Sequence, residues 1–127
     1  MANILVIDDE EQMRDLLDMM LTDDNHSVKT ASDGVEGLLA CHHEKFDLII
    51  TDINMPHKNG IDFLIEIQKF NKKIPVIAIS GAVGKFTDSE FNLASAKMLG
   101  GVLGTLKKPF NEIDLRNAIN AILGESK

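Results

Sequence analysis

The chain has 127 residues, 44% of them apolar and 26% charged, with a formal charge of −7 at neutral pH, enough for one domain with a single core and too few for two. No run approaches the roughly 18 apolar residues of a membrane span, and Asp8-Asp9 interrupts the first apolar run too early for a secretory signal. The negative balance argues against direct binding to nucleic acid, which needs Lys and Arg on phosphates, and a single cysteine, Cys41, suits a reducing, cytoplasmic compartment.

Short apolar runs of β type alternate with longer segments of helical spacing, the pattern of βα units around a parallel sheet. The first run, Ile4-Leu5-Val6-Ile7, ends in Asp8-Asp9. Behind it Met13, Leu16, Leu17, Met20 and Leu21 share one face of a helix. The second run, Val28 to Ala31, is shorter and more polar, which places it at a sheet edge. Asp33 stands where it can cap a second helix through Val35, Leu38, Leu39 and His42. The third run, Leu48-Ile49-Ile50, leads into Thr51-Asp52, and Asn59-Gly60 opens a third helix with Phe63, Leu64, Ile67 and Phe70. Val76-Ile77-Ala78-Ile79 follows and ends in Ser80. Thr87-Asp88-Ser89-Glu90 has capping-box spacing for a fourth helix, which Gly100-Gly101 stops. Val102 to Leu106 ends in Lys107-Lys108, and a last helix carries Ile113, Leu115, Ala118, Ile119, Ile122 and Leu123. Four of the five runs are nearly continuous apolar stretches, as expected of strands covered on both faces. The expected architecture is one α/β domain over residues 1–127, a (βα)5 doubly wound, five-stranded parallel sheet with helices on both faces and no output domain.

In such a sheet, ligands bind beyond the carboxyl ends of the strands, where the strand order changes direction. If the order is 2-1-3-4-5, the ends of strands 1, 3, 4 and 5 bring Asp8, Asp9, Asp52, Ser80 and a lysine into one crevice. Each residue alone has an ordinary reading. Asp9 can cap the first helix with Gln12 answering it, Ser80-Gly81 and Lys108-Pro109 are common turn pairs, and Asp52 can be a solvated loop acid. Their joint position at four strand ends makes that combination a fourfold coincidence. Two carboxylates about 4 Å apart repel by roughly 4 kcal/mol at an effective dielectric of about 20, so the cluster calls for positive charge. An oxygen-only set of this kind suits Mg²⁺, which keeps several waters and shares its other positions with phosphate oxygens. A metal and a lysine around a carboxylate can organise phosphoryl transfer to it, chemistry that needs mainly positioning and charge stabilisation.

Ile7-Asp8-Asp9-Glu10, Thr51-Asp52-Ile53-Asn54-Met55-Pro56 with Gly60, Ser80-Gly81 and Lys108-Pro109-Phe110 resemble, in order and spacing, the motifs of response-regulator receiver domains. The resemblance covers the whole chain. It implies that Asp52 is the nucleophile and phosphoacceptor, and that Asp9 and Asp52 ligate Mg²⁺ directly. Asp8 would act mostly through water, and the backbone carbonyl of Asn54 would complete the set. It further implies that Ser80 and Lys108 each hold a phosphoryl oxygen, and that the Lys108-Pro109 bond is cis. The donor would be a sensor histidine kinase or a His phosphotransfer protein. A downstream protein would use the face made by helix 4, strand 5 and helix 5, without direct contact to nucleic acid or membrane. Lys107 competes for the active role, but neighbours on a strand point to opposite faces, and the following proline selects Lys108.

Two features depart from the family pattern. Thr105 stands where an aromatic residue is usual, in a chain without tyrosine, and Gly81 to Gly101 is several residues longer than is usual in the family. Two other classes fit less well. A phosphatase of the haloacid dehalogenase type wants its nucleophile on the first strand in an Asp-x-Asp pattern and a cap domain. An FMN binder of flavodoxin type wants a Ser/Thr/Gly-rich phosphate loop after the first strand and an aromatic to stack on the flavin.

Overall fold

The computed structural model describes residues 2–52, 65–67, 69, 74–80 and 102–124. Its strands are β1 (Asn3–Ile7), β2 (Ser27–Ala31), β3 (Leu48–Asp52), β4 (Val76–Ser80) and β5 (Val102–Lys107), and its helices are α1 (Glu11–Asp23), α2 (Gly34–His43) and α3 (Glu112–Leu123), the last being the fifth helix expected above. All five strands pair in parallel, in the order β2-β1-β3-β4-β5, so the polar run Ser27–Ala31 does lie at an edge. Residues 65–67 and 69 are helical, inside the segment expected for the third helix. The expected starts at Asn59-Gly60 and Thr87 to Glu90, the stop at Gly100-Gly101, and Asn54 and Gly81 lie outside the described residues.

Strand alternation divides the core into two layers. Leu5 and Ile7 of β1 join Ile49, Val76 and Ala78 on one face of the sheet, where Ile67 and, from α2, Leu38, Ala40 and Cys41 pack against them. Ile4 and Val6 join Leu48, Ile50, Ile77 and Ile79 on the other, under Leu17 and Leu21 of α1 and Leu115 and Ile119 of α3. Both faces of the central strands are therefore covered, which is why their sequences read as unbroken apolar runs. Cys41 sits in this packing as a half-buried thiol whose burial pushes its pKa up to about 11.

The expected apolar stripe of α3 packs on the core from Leu115 to Leu123, and Leu38 of α2 packs on its other layer, but single members of each stripe face solvent. In α2 the buried positions are Gly34 and Gly37, while Val35 and Leu39 are 54% and 55% exposed. The helix meets β1 and β2, and its packing on the core comes from Leu38, Ala40 and Cys41. In α3, Ile113 is exposed because it lies in the first turn, and the buried stripe begins at Leu115.

Local chemistry fixes where the helices start. Asp33 caps α2 as expected, its carboxylate accepting from the Glu36 amide at 2.8 Å. Asn111 caps α3 in a reciprocal box: its side chain accepts from the Asp114 amide at 2.8 Å, and the Asp114 carboxylate accepts from the Asn111 amide at 3.3 Å. Gly124 closes α3 in the left-handed region, at φ 70°, where a residue without Cβ is unstrained. Asn111→Ala removes half of the box and should cost about 1 kcal/mol, a fall in melting temperature of about 4 °C for a domain of this size. Calorimetric melting checks it, and an unchanged midpoint would mean the box contributes nothing.

Candidate functional site: a carboxylate crevice at the strand ends

The register of the sheet builds the site. Ile7 of β1 lies opposite Thr51 of β3, so Asp8 and Asp52, one residue further along each chain, emerge side by side. Both are buried, Asp8 completely and Asp52 to 96%, given its 4% exposure. The Asp8 amide still bonds the carbonyl of Ala31 at 3.1 Å, and Thr51 Oγ1 donates to the Asp52 carbonyl at 3.0 Å. Asp9 follows on the surface. One carboxylate oxygen from each of Asp8, Asp9 and Asp52 lies within 4.8 Å of the others.

The positive charge arrives from the far side of the sheet. Lys108, just past the end of β5, reaches over the end of β4 to place its Nζ 3.2 Å from Asp52 Oδ2, 3.4 Å from Asp8 Oδ2 and 3.5 Å from Glu10 Oε1. Its bond to Pro109 is cis. Lys107 is exposed and lies opposite Ser80 in the register of β4 and β5, so the two lysines part as strand alternation expects. Ser80 ends β4, one step beyond the pairing of Asp52 with Ile79. Thr105 lies in β5 opposite Ala78, half-buried.

Electrostatics follow from this crowding. Burial pushes the Asp8 carboxyl up to about 6; the Glu10 amide opposes the rise, Asp52 adds to it, and Lys108 opposes it again. For Lys108 the burial alone would lower the pKa, but Asp52, Asp8 and Glu10 together outweigh it and hold the ammonium above its ordinary value. The three clustered carboxylates and the ammonium sum to a charge of −2, with Glu10 adding negative charge at the rim. A hard dication with a preference for oxygen offsets that charge, so the donor set fits Mg²⁺.

The ordinary alternative for Asp9 is not the arrangement seen. The N-cap of α1 is Glu10, which makes no side-chain cap, and the Glu10 amide bonds Asp8 Oδ1 at 2.9 Å instead. Sequence reasoning gave no role to two residues that the fold brings here. Glu10 reaches Lys108, a contact its place in the run of four acids from Asp8 to Glu11 could have suggested. Arg14 donates from Nη1 to the Asp8 carbonyl at 2.7 Å, and no local pattern signals a bond to a backbone atom.

A doubly wound α/β domain in the strand order 2-1-3-4-5 belongs to the flavodoxin-like architecture, and its strand ends gather three carboxylates that could hold a metal ion beside a lysine. Residues 4–120 match the family model described as the response regulator receiver domain, and the chain belongs to that family. It is 37% identical to the transcriptional regulatory protein GlrR of Escherichia coli over 125 residues, covering 98% of this chain and 27% of GlrR. To the alkaline phosphatase synthesis transcriptional regulatory protein PhoP of Bacillus subtilis it is 34% identical, over 98% of this chain and 49% of that one. Among solved structures, the chemotaxis protein CheY4 of Vibrio cholerae superposes with a TM-score of 0.81 at 30% identity, over 96% of this chain and 98% of CheY4. The chain thus spans a quarter to a half of these curated regulators but nearly all of CheY4. Its role is that of its family, a receiver module in the phosphorelays of two-component signalling. No described helix is long and apolar enough to cross a membrane.

Proposed function

We propose that this receiver is a phosphoacceptor switch in which Asp52 takes the phosphoryl group, in the cytoplasm, from a sensor histidine kinase or a His phosphotransfer protein. The observation that carries the reading is the Asp52 carboxylate, buried yet within 3.2 Å of the Lys108 ammonium and grouped with those of Asp8 and Asp9. In the transfer, an Asp52 oxygen forms a bond to phosphorus as the phosphorus–nitrogen bond of the donor's phosphohistidine breaks, and the departing imidazole keeps the electron pair. Asp9 and Asp52 would hold Mg²⁺ directly, Asp8 mostly through water, with the Asn54 carbonyl completing the set. Bound there, Mg²⁺ neutralises charge that develops on the phosphoryl oxygens. Lys108 then exchanges its carboxylate partners for a phosphoryl oxygen, and Ser80 hydrogen-bonds another, so the loop after β4 is drawn toward the new charge. The output surface would be the face of β5 and α3 together with the fourth helix.

Incubation with a small acyl phosphate donor tests this reading. Intact-mass spectrometry should show a phosphate-sized addition that needs Mg²⁺ and disappears with a chelator. Lys108→Ala should lose the conformational response to beryllofluoride, followed by amide NMR, while still binding Mg²⁺, and Lys107→Ala should keep that response. Equal loss in both variants would overturn the assignment of Lys108.

A further inference from the structure

Only Asp8, Asp9 and Glu10 lie between β1 and the first turn of α1, and this short turn carries two of the three clustered carboxylates. Its anchors determine whether those carboxylates stay in place. At Asp8 the amide is held by the Ala31 carbonyl at 3.1 Å, and the carboxylate is held by the Glu10 amide at 2.9 Å. The carbonyl is held by the Arg14 guanidinium at 2.7 Å, the shortest of the three. Arg14 is itself fixed, because its amide donates to the Glu10 carbonyl at 3.1 Å as α1 begins. A charged donor makes a hydrogen bond roughly twice as strong as a neutral one, and a guanidinium stays charged at every pH of interest. Since α1 lacks a side-chain cap at Glu10, this bond closes the first turn of the helix back onto the end of the strand.

We propose that Arg14 is a positioning residue for the divalent cation: by gripping the Asp8 carbonyl it presets the turn that carries Asp8 and Asp9 against Asp52. The proposal rests on the reading of the crevice as a Mg²⁺ site, and its sign separates it from simple electrostatics. A nearby positive charge opposes a cation, so if charge alone mattered, removing Arg14 would tighten Mg²⁺ binding. Positioning requires the opposite. Groups that orient metal ligands from behind typically change metal affinity by about 10- to 100-fold.

Mg²⁺ itself is the probe, titrated calorimetrically into the metal-free chain. Arg14→Ala and the shape-keeping Arg14→Gln should each weaken binding by about tenfold, and Arg14→Lys should restore part of the loss through a single charged donor. Acetyl phosphate labelling should need correspondingly more Mg²⁺ for half-saturation but reach the wild-type plateau. Melting curves identify variants that fail to fold, and the glutamine variant stands in where alanine does. Affinity equal to or tighter than wild type, or a lowered plateau at an unshifted half-saturation, would overturn the proposal. Asp9→Ala tells the two failures apart. If it weakens Mg²⁺ while the Arg14 variants do not, only the role of Arg14 falls; if the wild type binds no Mg²⁺, the metal site falls and the proposal with it.

Discussion

Asp52→Asn should accept no phosphoryl group, a loss on the order of a thousandfold or more, since attack on phosphorus by a carboxylate is the step that forms the acyl phosphate. The amide has nearly the same shape, so the variant should fold, but its electron pair is delocalised toward the carbonyl and it carries no charge. The same change should ease the electrostatics of the crevice. Asp52 is one of the groups that raise the Asp8 carboxyl and the leading group that raises the Lys108 ammonium, so both shifts should shrink in the variant. Intact-mass spectrometry after treatment with acetyl phosphate and Mg²⁺ reads the first effect, and denaturant melts without metal read the second. A phosphate-sized addition persisting on Asp52→Asn would move the acceptor to another residue. A variant that neither takes label nor folds would be replaced by Asp52→Ala, which removes the nucleophile by truncation.

The second large effect is on stability and its dependence on pH. In the fold Asp8 titrates at about 6, against 3.8 for the free side chain. Between those values the folded chain binds a proton that the unfolded chain does not, so stability falls as pH rises. The favourable contribution of the protonated carboxyl is complete below about pH 4 and is lost as pH passes through about 6. At 1.36 kcal/mol per unit the whole effect is at most about 3 kcal/mol, and water at the mouth of the crevice screens it to about 1–2 kcal/mol. Metal-free wild type should therefore lose this amount between pH 4.5 and 7.5, relative to Asp8→Asn. The variant keeps a side-chain oxygen for the Glu10 amide and has no charge to bury. Adding Mg²⁺ at pH 7.5 should recover much of the wild-type loss and do less for the variant. Urea midpoints for the two proteins across that range test the idea, and parallel curves would mean that Asp8 is not strained by its burial.

Much of this was legible along the chain. Unbroken apolar runs at β1, β3 and β4 announce strands covered on both faces, and the more polar run Val28 to Ala31 announces an edge, because burial on one side or two leaves its mark on every second residue. Asp33 could be placed as a cap from its position alone, since a cap bonds an amide three residues away. The parting of Lys107 from Lys108 followed from strand alternation. Asp8, Asp9, Asp52 and Lys108 could be assigned to one crevice because the sheet order carries strand ends to neighbouring places.

What the tertiary structure decided concerns distance and burial. Lys108 and Asp8 are separated by 100 residues, and only the assembled sheet sets their ammonium and carboxylate 3.4 Å apart. The complete burial of Asp8, and with it a pKa near 6, depends on how neighbouring elements close around one strand end. In α2 the apolar spacing pointed to Val35, Leu38, Leu39 and His42. Leu38 does pack on the core, but Val35 and Leu39 face solvent while Gly34 and Gly37 are buried, because the angle at which a helix meets its sheet is set by the whole fold. The bond from Arg14 to the Asp8 carbonyl depends on backbone positions that no side-chain pattern encodes. Periodicity and capping are local and survive in one dimension, whereas the environment of a charge is the sum of everything folded around it.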